Sequence, residues 1–215
     1  MRPTHPLILF LFHLPLLPSP LPASPDARFE SIDARAITVE GEIGRRIQVT
    51  IQTNLFALDI DKDFLDPFRA AERKGKYIGL GKLIDAAARL AHHTGDPALV
   101  ALKRRLTSAA IAAQEPDGYL GTMPPDKRIW TLWDIHEMAY MILALATDHR
   151  LFAEASSLSS ARKLADYLLR RWEADPPKQP SPWHITLHMG VTGVENALLA
   201  LHAEPLGERF RGLLK

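Results

Sequence analysis

The sequence predicts a mainly helical protein, built from successive helical hairpins that follow a short β lead-in. Three observations carry this. From residue 76 onward apolar residues recur at spacings of three and four; five such stretches have similar length; and turns containing Gly, Pro or Asp separate them. Short connections make neighbouring helices antiparallel. A bundle, a solenoid or a closed helical toroid each satisfies the pattern, and periodicity alone does not choose among them.

Taken in order, residues 36–52 read as strand. Ile37 and Val39 alternate with polar residues, and after Gly41 and Gly44 so do Ile47, Val49 and Ile51. The first helix spans about Lys76 to His93, with Ile78, Leu80, Leu83, Ile84, Ala87 and Leu90 on one face, and stops at Thr94-Gly95. Asp96-Pro97 starts the second, an aspartate cap with proline at the first helical position. Gln114-Glu115-Pro116-Asp117-Gly118 ends it in a turn. A third helix runs through Trp130, Trp133, Met138, Met141 and Leu145, and a fourth carries Leu158, Ala161, Leu164, Leu168 and Trp172. Prolines 176, 177, 180 and 182 make a loop before a last helix over about Val191 to His202. Residues 207–215 look like the opening of another helix, so the chain reads as a fragment.

The first 25 residues stand apart, holding seven of the 17 prolines. Arg2 precedes the apolar run Leu7 to Leu17, and Ala23-Ser24 follow it. That run is too short for a transmembrane helix, which takes about 20 apolar residues, and it has the layout of a secretory signal. The expectation is therefore an exported protein, periplasmic or extracellular, without stable membrane insertion.

Composition narrows the function. With 26 basic and 25 acidic residues the formal charge is +1, which leaves no basic footprint for nucleic acid. The absence of cysteine excludes disulfides, cysteine–zinc clusters and a thiol nucleophile from these 215 residues. Nothing in the sequence sets an oligomeric state.

Three motif readings fail. Gly75 to Lys82 lacks the Walker glycine spacing and has Leu83 where Ser or Thr is required. His136-Glu137 has Tyr140, not histidine, at the fifth position of a zinc-protease signature. His184 and His188 are four apart but have no third ligand in register. His136 flanked by Trp130, Trp133 and Tyr140 is a better candidate. Aromatic rings form apolar walls for sugar faces, and an imidazole serves hydroxyl groups. A core histidine with satisfied nitrogens is the competing reading. Gln114 to Gly121 is the sharpest short string, a turn that would hold Tyr119 and the Asp117 carboxylate at a helix end.

Four segments occur in a recognisable order: Tyr77 to Ala87, Thr94-Gly95-Asp96-Pro97, Gln114 to Gly121, and Trp133-Asp134-Ile135-His136-Glu137. Together they resemble the β-L-arabinofuranosidase-type glycoside hydrolases, glycoside hydrolase family 127, over roughly residues 45–215. The resemblance implies an (α/α)6 toroid, of which residues 61–215 would form an incomplete, amino-terminal part, after a signal peptide at 1–25 and an extended or β lead-in at 26–60. It implies carbohydrate as the partner, an oligosaccharide or glycan bearing L-arabinofuranosyl or related plant-wall sugars. It also implies retaining hydrolysis by a zinc-bound cysteine thiolate with a glutamate acid/base. Those residues lie further along the family's sequence, so neither a catalytic residue nor a cofactor is expected in this chain, and the isolated chain is expected to be inactive. By the resemblance His136 faces the sugar, and Asp117, Gly118 and Tyr119 form the turn near the pocket rim; Trp133 and Glu137 complete the expected substrate-binding set. Gly193 to Leu198 resembles a later family helix, although Val191 stands where a histidine commonly precedes the glutamate. A non-catalytic carbohydrate-binding or structural helical protein is the alternative, favoured by the missing nucleophile.

Overall fold

The amino-terminal part of the fold corrects the sequence reading. In the computed structural model, which describes residues 32–70, 76–130, 133–174 and 193–202, the segment read as strand is helix. Helix α1 spans Gly41–Thr50 and runs into a π-helical turn, Ile51–Leu55. A second such turn, Asp61–Leu65, leads into the short α2, Asp66–Arg69. The alternation of Ile47, Val49 and Ile51 competes with a row at every fourth residue: Ile43, Ile47, Ile51 and Leu55. Burial decides between them, because Ile51 and Leu55 are buried while Val49 is exposed. Glu42 pairs with Arg45 at 2.7 Å and Arg46 at 2.8 Å, the i+3 and i+4 partners of a helix. Both pairs are exposed, so they add little stability. Ile51, Leu55, Ile60, Leu65 and Phe68 join the common core instead.

The later helices form as the periodicity predicts, although the first of them starts at Leu80 rather than Lys76 and the third at Asp134, after Trp130 and Trp133. They are α3 (Leu80–Thr94), α4 (Pro97–Ala112), α5 (Asp134–Phe152), α6 (Ala155–Ala174) and α7 (Val194–His202). Gly95 ends α3 in a left-handed conformation, its N–H donating to the Ala91 carbonyl. Asp96 then caps α4, its side chain accepting from the Ala98 N–H at 2.8 Å. The proline loop, the His184/His188 pair, the 1–25 segment and residues 207–215 lie outside the described residues.

Helix α5 is the centre of this unit. Ile135, Met138, Met141, Ile142 and Leu145 are all fully buried, and each such side chain contributes roughly 1.5–3 kcal/mol. It packs against α3, α6 and α7, while α4 packs on α3. Helices α3 and α5 run parallel: Gly79 meets Glu137 at one end, and His92 packs edge-on to Phe152 at the other. Their close approach depends on Gly81, since a Cβ there would lie 2.5 Å from the Tyr140 backbone. Helices α4 and α6 also run parallel, with Lys103 near Glu154 and Gln114 near Ser160.

The expected incomplete (α/α)6 toroid with a β lead-in is therefore not what forms. There is no strand among the described residues. The hairpins gather as two layers, with α3, α5 and α7 in one and α4 and α6 in the other.

At the α5–α6 turn the layers are tied by a buried ion pair. Lys103 and Asp148 are each fully buried and 2.8 Å apart. Ser157 Oγ donates to the second Asp148 oxygen at 2.6 Å, and the Lys103 ammonium lies 4.0 Å from the Phe152 ring centre. Removing one partner strands a buried charge. Lys103→Met is expected to cost about 3–5 kcal/mol in urea denaturation, with most of that regained in Lys103→Met/Asp148→Leu.

Candidate functional site

The first turn of α5, the segment before α3 and the loop from Gln114 to Trp130 meet at the opposite end of the helices. Here Tyr77, Trp133, His136 and Tyr140 form one aromatic cluster. Ring centres are 5.1 Å apart for Tyr77–Trp133, 5.3 Å for Tyr77–His136, 5.6 Å for Trp133–His136 and 4.8 Å for His136–Tyr140. Trp133 is 41% exposed, and Tyr77, His136 and Tyr140 are half-buried. The Lys82 ammonium lies 4.3 Å from the Tyr140 ring centre and 5.4 Å from that of Tyr77. Packing fixes the tilt of the rings while Trp133 stays exposed, the combination that presents a wall to a sugar. Trp130, expected beside His136, instead packs on Trp172 with 5.0 Å between ring centres.

Glu137 follows His136 directly but turns inward. It is 2% exposed, and one carboxylate oxygen accepts the Ile78 N–H at 2.9 Å and the Gly79 N–H at 2.8 Å. It thus serves the amino-terminal end of α3, where unpaired N–H groups favour negative charge. Burial is the larger influence and holds its carboxyl above the ordinary glutamate range, against the pull of those N–H groups.

Asp134 opens the same turn and is 1% exposed. It accepts the Tyr119 hydroxyl at 2.6 Å and the Ile129 N–H at 2.7 Å. Ile129 holds a φ of 73°, a left-handed conformation that a β-branched residue adopts only under constraint. Burial raises the Asp134 carboxyl, and burial together with the adjacent Asp134 charge raises the Tyr119 hydroxyl. The Arg128 guanidinium stacks 3.7 Å from the Tyr119 ring centre and pairs with Glu115 at 2.7 Å.

The structure thus divides the five residues expected to bind substrate. His136 and Trp133 are brought together in an accessible cluster. Tyr119 is fully buried, with its hydroxyl committed to Asp134 and its ring sandwiched by Arg128. Glu137 is buried beneath the cluster. Asp117 is exposed, but its contacts lead elsewhere: its side chain accepts the Tyr119 N–H, it lies 3.8 Å from Arg128, and its carbonyl accepts from Arg170 of α6. Gly118 holds this turn on α6, having a φ of +101° and room for a Cβ only by collision with the Lys163 carbonyl. Tyr77 and Lys82 are the members that site reasoning from the sequence missed. They lie more than fifty residues from His136, and their signal was membership of the strings Gly75 to Lys82 and Tyr77 to Ala87.

A zinc–thiolate centre does not fit these residues. The sequence contains no cysteine, and no group of three His, Asp or Glu side chains capable of holding a metal occurs among the described residues.

Residues 52–213 match the family described as β-L-arabinofuranosidase, GH127 catalytic domain. That match covers most of the chain, and the protein belongs to this family of glycoside hydrolases. Its substrate class is accordingly carbohydrate. Searches of curated proteins and of solved structures return no match. No helix among the described residues is long and apolar enough to cross a membrane.

The buried Glu137 gives the fold a signed pH dependence. Because its folded-state pKa lies above the unfolded value, its contribution to stability is complete below the ordinary glutamate range. That contribution is lost as pH rises through the raised value. Urea denaturation from about pH 3 to about pH 8 is expected to show native stability falling relative to Glu137→Gln with rising pH. A difference that stays flat or increases contradicts this placement.

Proposed function

We propose that this chain supplies a sugar-binding wall of a glycoside hydrolase catalytic domain acting on L-arabinofuranosyl-type or related plant-wall sugars. The observation that carries the reading is the accessible cluster of Tyr77, Trp133, His136 and Tyr140 at one end of the α3–α5 pair. Ring faces would pack on the C–H surface of the sugar. The His136 imidazole and the Tyr140 hydroxyl would supply hydrogen bonds to its hydroxyl groups. Asp117 and Tyr119 enter this reading as the supports of the adjoining turn, not as groups that touch the ring.

The nucleophile implied by the family resemblance is none of these 215 residues, and the chain by itself is proposed to be inactive. Export belongs to the same proposal and rests on the basic start, the short apolar run and the small residues of the first 25 positions. The missing cysteine favours one other reading, a non-catalytic carbohydrate-binding protein. Binding without turnover in every form of the protein that carries these residues would support it.

Trp133→Ala tests the site because Trp133 is its most exposed ring. Titration of the chain with methyl β-L-arabinofuranoside, followed by calorimetry, is expected to show saturable binding. Trp133→Ala should weaken it by about two- to tenfold, the scale of one aromatic contact. An unchanged affinity in Trp133→Ala, or in His136→Ala, refutes the proposed wall.

A further inference from the structure

The aromatic wall has an inner support that carries a role of its own. Tyr77 precedes α3 in the chain, whereas Trp133, His136 and Tyr140 belong to α5 or its immediate start. No helical hydrogen bond fixes Tyr77, because residues 76–79 are not helical. Two long-range contacts do. The Thr122 hydroxyl donates to the Lys76 carbonyl at 2.6 Å, and the Glu137 carboxylate takes the N–H groups of Ile78 and Gly79. These contacts flank Tyr77 on both sides, and the second comes from the residue next to His136. We propose that Glu137 is a positioning residue of the sugar site: it does not touch the sugar but sets the Tyr77 ring against Trp133 and His136.

The chemistry of the contact suits this role. A carboxylate oxygen that accepts two successive N–H groups fixes both the distance and the orientation of the segment that carries them. Removing the acceptor leaves two N–H groups without it in a buried place, which favours movement of the segment. Loss of the side chain from beneath the rings would therefore displace Tyr77 and leave His136 and Trp133 attached to α5. Glutamine keeps the reach and one carbonyl acceptor. Aspartate keeps the charge but is shorter by one methylene, so it cannot meet both N–H groups from the same Cα position.

The inference rests on the sugar-wall reading, so its test uses two readouts. The first needs no sugar. Tyr77 shifts the indole N–H signal of Trp133 through its ring current, and that signal is assigned by comparison with Trp133→Phe. The Tyr77 contribution is the change produced by Tyr77→Ala. Glu137→Asp and Glu137→Ala are expected to lose that contribution, and Glu137→Gln to keep it.

The second readout is the affinity for methyl β-L-arabinofuranoside. Tyr77→Ala and Glu137→Asp are each expected to weaken binding by about two- to tenfold. Their combination should weaken it no further, because one acts through the other. Glu137→Gln should bind like the native protein. Glu137→Asp with an unchanged indole signal overturns the inference, as does additivity in the double variant. If the native chain binds no sugar, the function proposed above fails, and the indole signal alone still decides whether Glu137 sets Tyr77. If Glu137→Ala does not fold, the aspartate and glutamine variants carry the same decision.

Discussion

The first turn of α5 places two carboxylates three residues apart, Asp134 and Glu137, and both are withdrawn from water. Each turns away from solvent to accept backbone N–H groups from a different loop: Ile129 for Asp134, and Ile78 with Gly79 for Glu137. Burying a carboxylate is costly unless it is hydrogen-bonded, and here the backbone supplies the bonds. The loops cannot relax independently once these acceptors are in place. Ile129 is the measure of that constraint, since a buried β-branched residue does not hold a φ of 73° without being held. The local arrangement therefore follows from one turn of helix that organises the chain on both sides of it.

This explains why adjacent residues of one motif have opposite fates. Residues 134, 136 and 137 lie on different azimuths of the helix, about 100° apart per residue. With Asp134 and Glu137 facing inward, His136 is left at the boundary with solvent, next to Trp133. The His-Glu pair thus works as an outward imidazole and an inward anchor. At the far end of the same helix, Asp148 meets Lys103 in a fully buried pair that locks α4 to the α5–α6 turn. Helix α5 is pinned at both ends by buried charge and along its length by apolar side chains.

The helices from α3 onward were legible because their apolar residues repeat at three and four positions and their ends carry local signals: Asp96 before Pro97, and Gly95 after Thr94. The amino-terminal helix was not. Between 37 and 51 a period of two and a period of four share Ile47 and Ile51, and only packing shows that Ile51 and Leu55 are buried while Val49 is not. The β lead-in is the part of the expected fold that packing overturned, since no strand forms among the described residues. Within the site, His136 and Trp133 could be named from their spacing. Tyr119 and Glu137 could be named as unusual, but not assigned a direction, because the groups that bury them lie elsewhere in the chain.

By itself, the sequence determined the helical hairpins, the carbohydrate-hydrolase family and the absence of a thiol from these residues. These follow from periodicity, ordered motifs and composition, all properties of the chain read locally. Only the tertiary structure decided which polar residues of the motifs face outward. It drew Tyr77 to His136 across more than fifty residues, turned Glu137 inward onto α3 and sealed Tyr119 between Asp134 and Arg128. The physical reason is that a polar side chain goes where its hydrogen-bond partners are, and here those partners are distant in sequence.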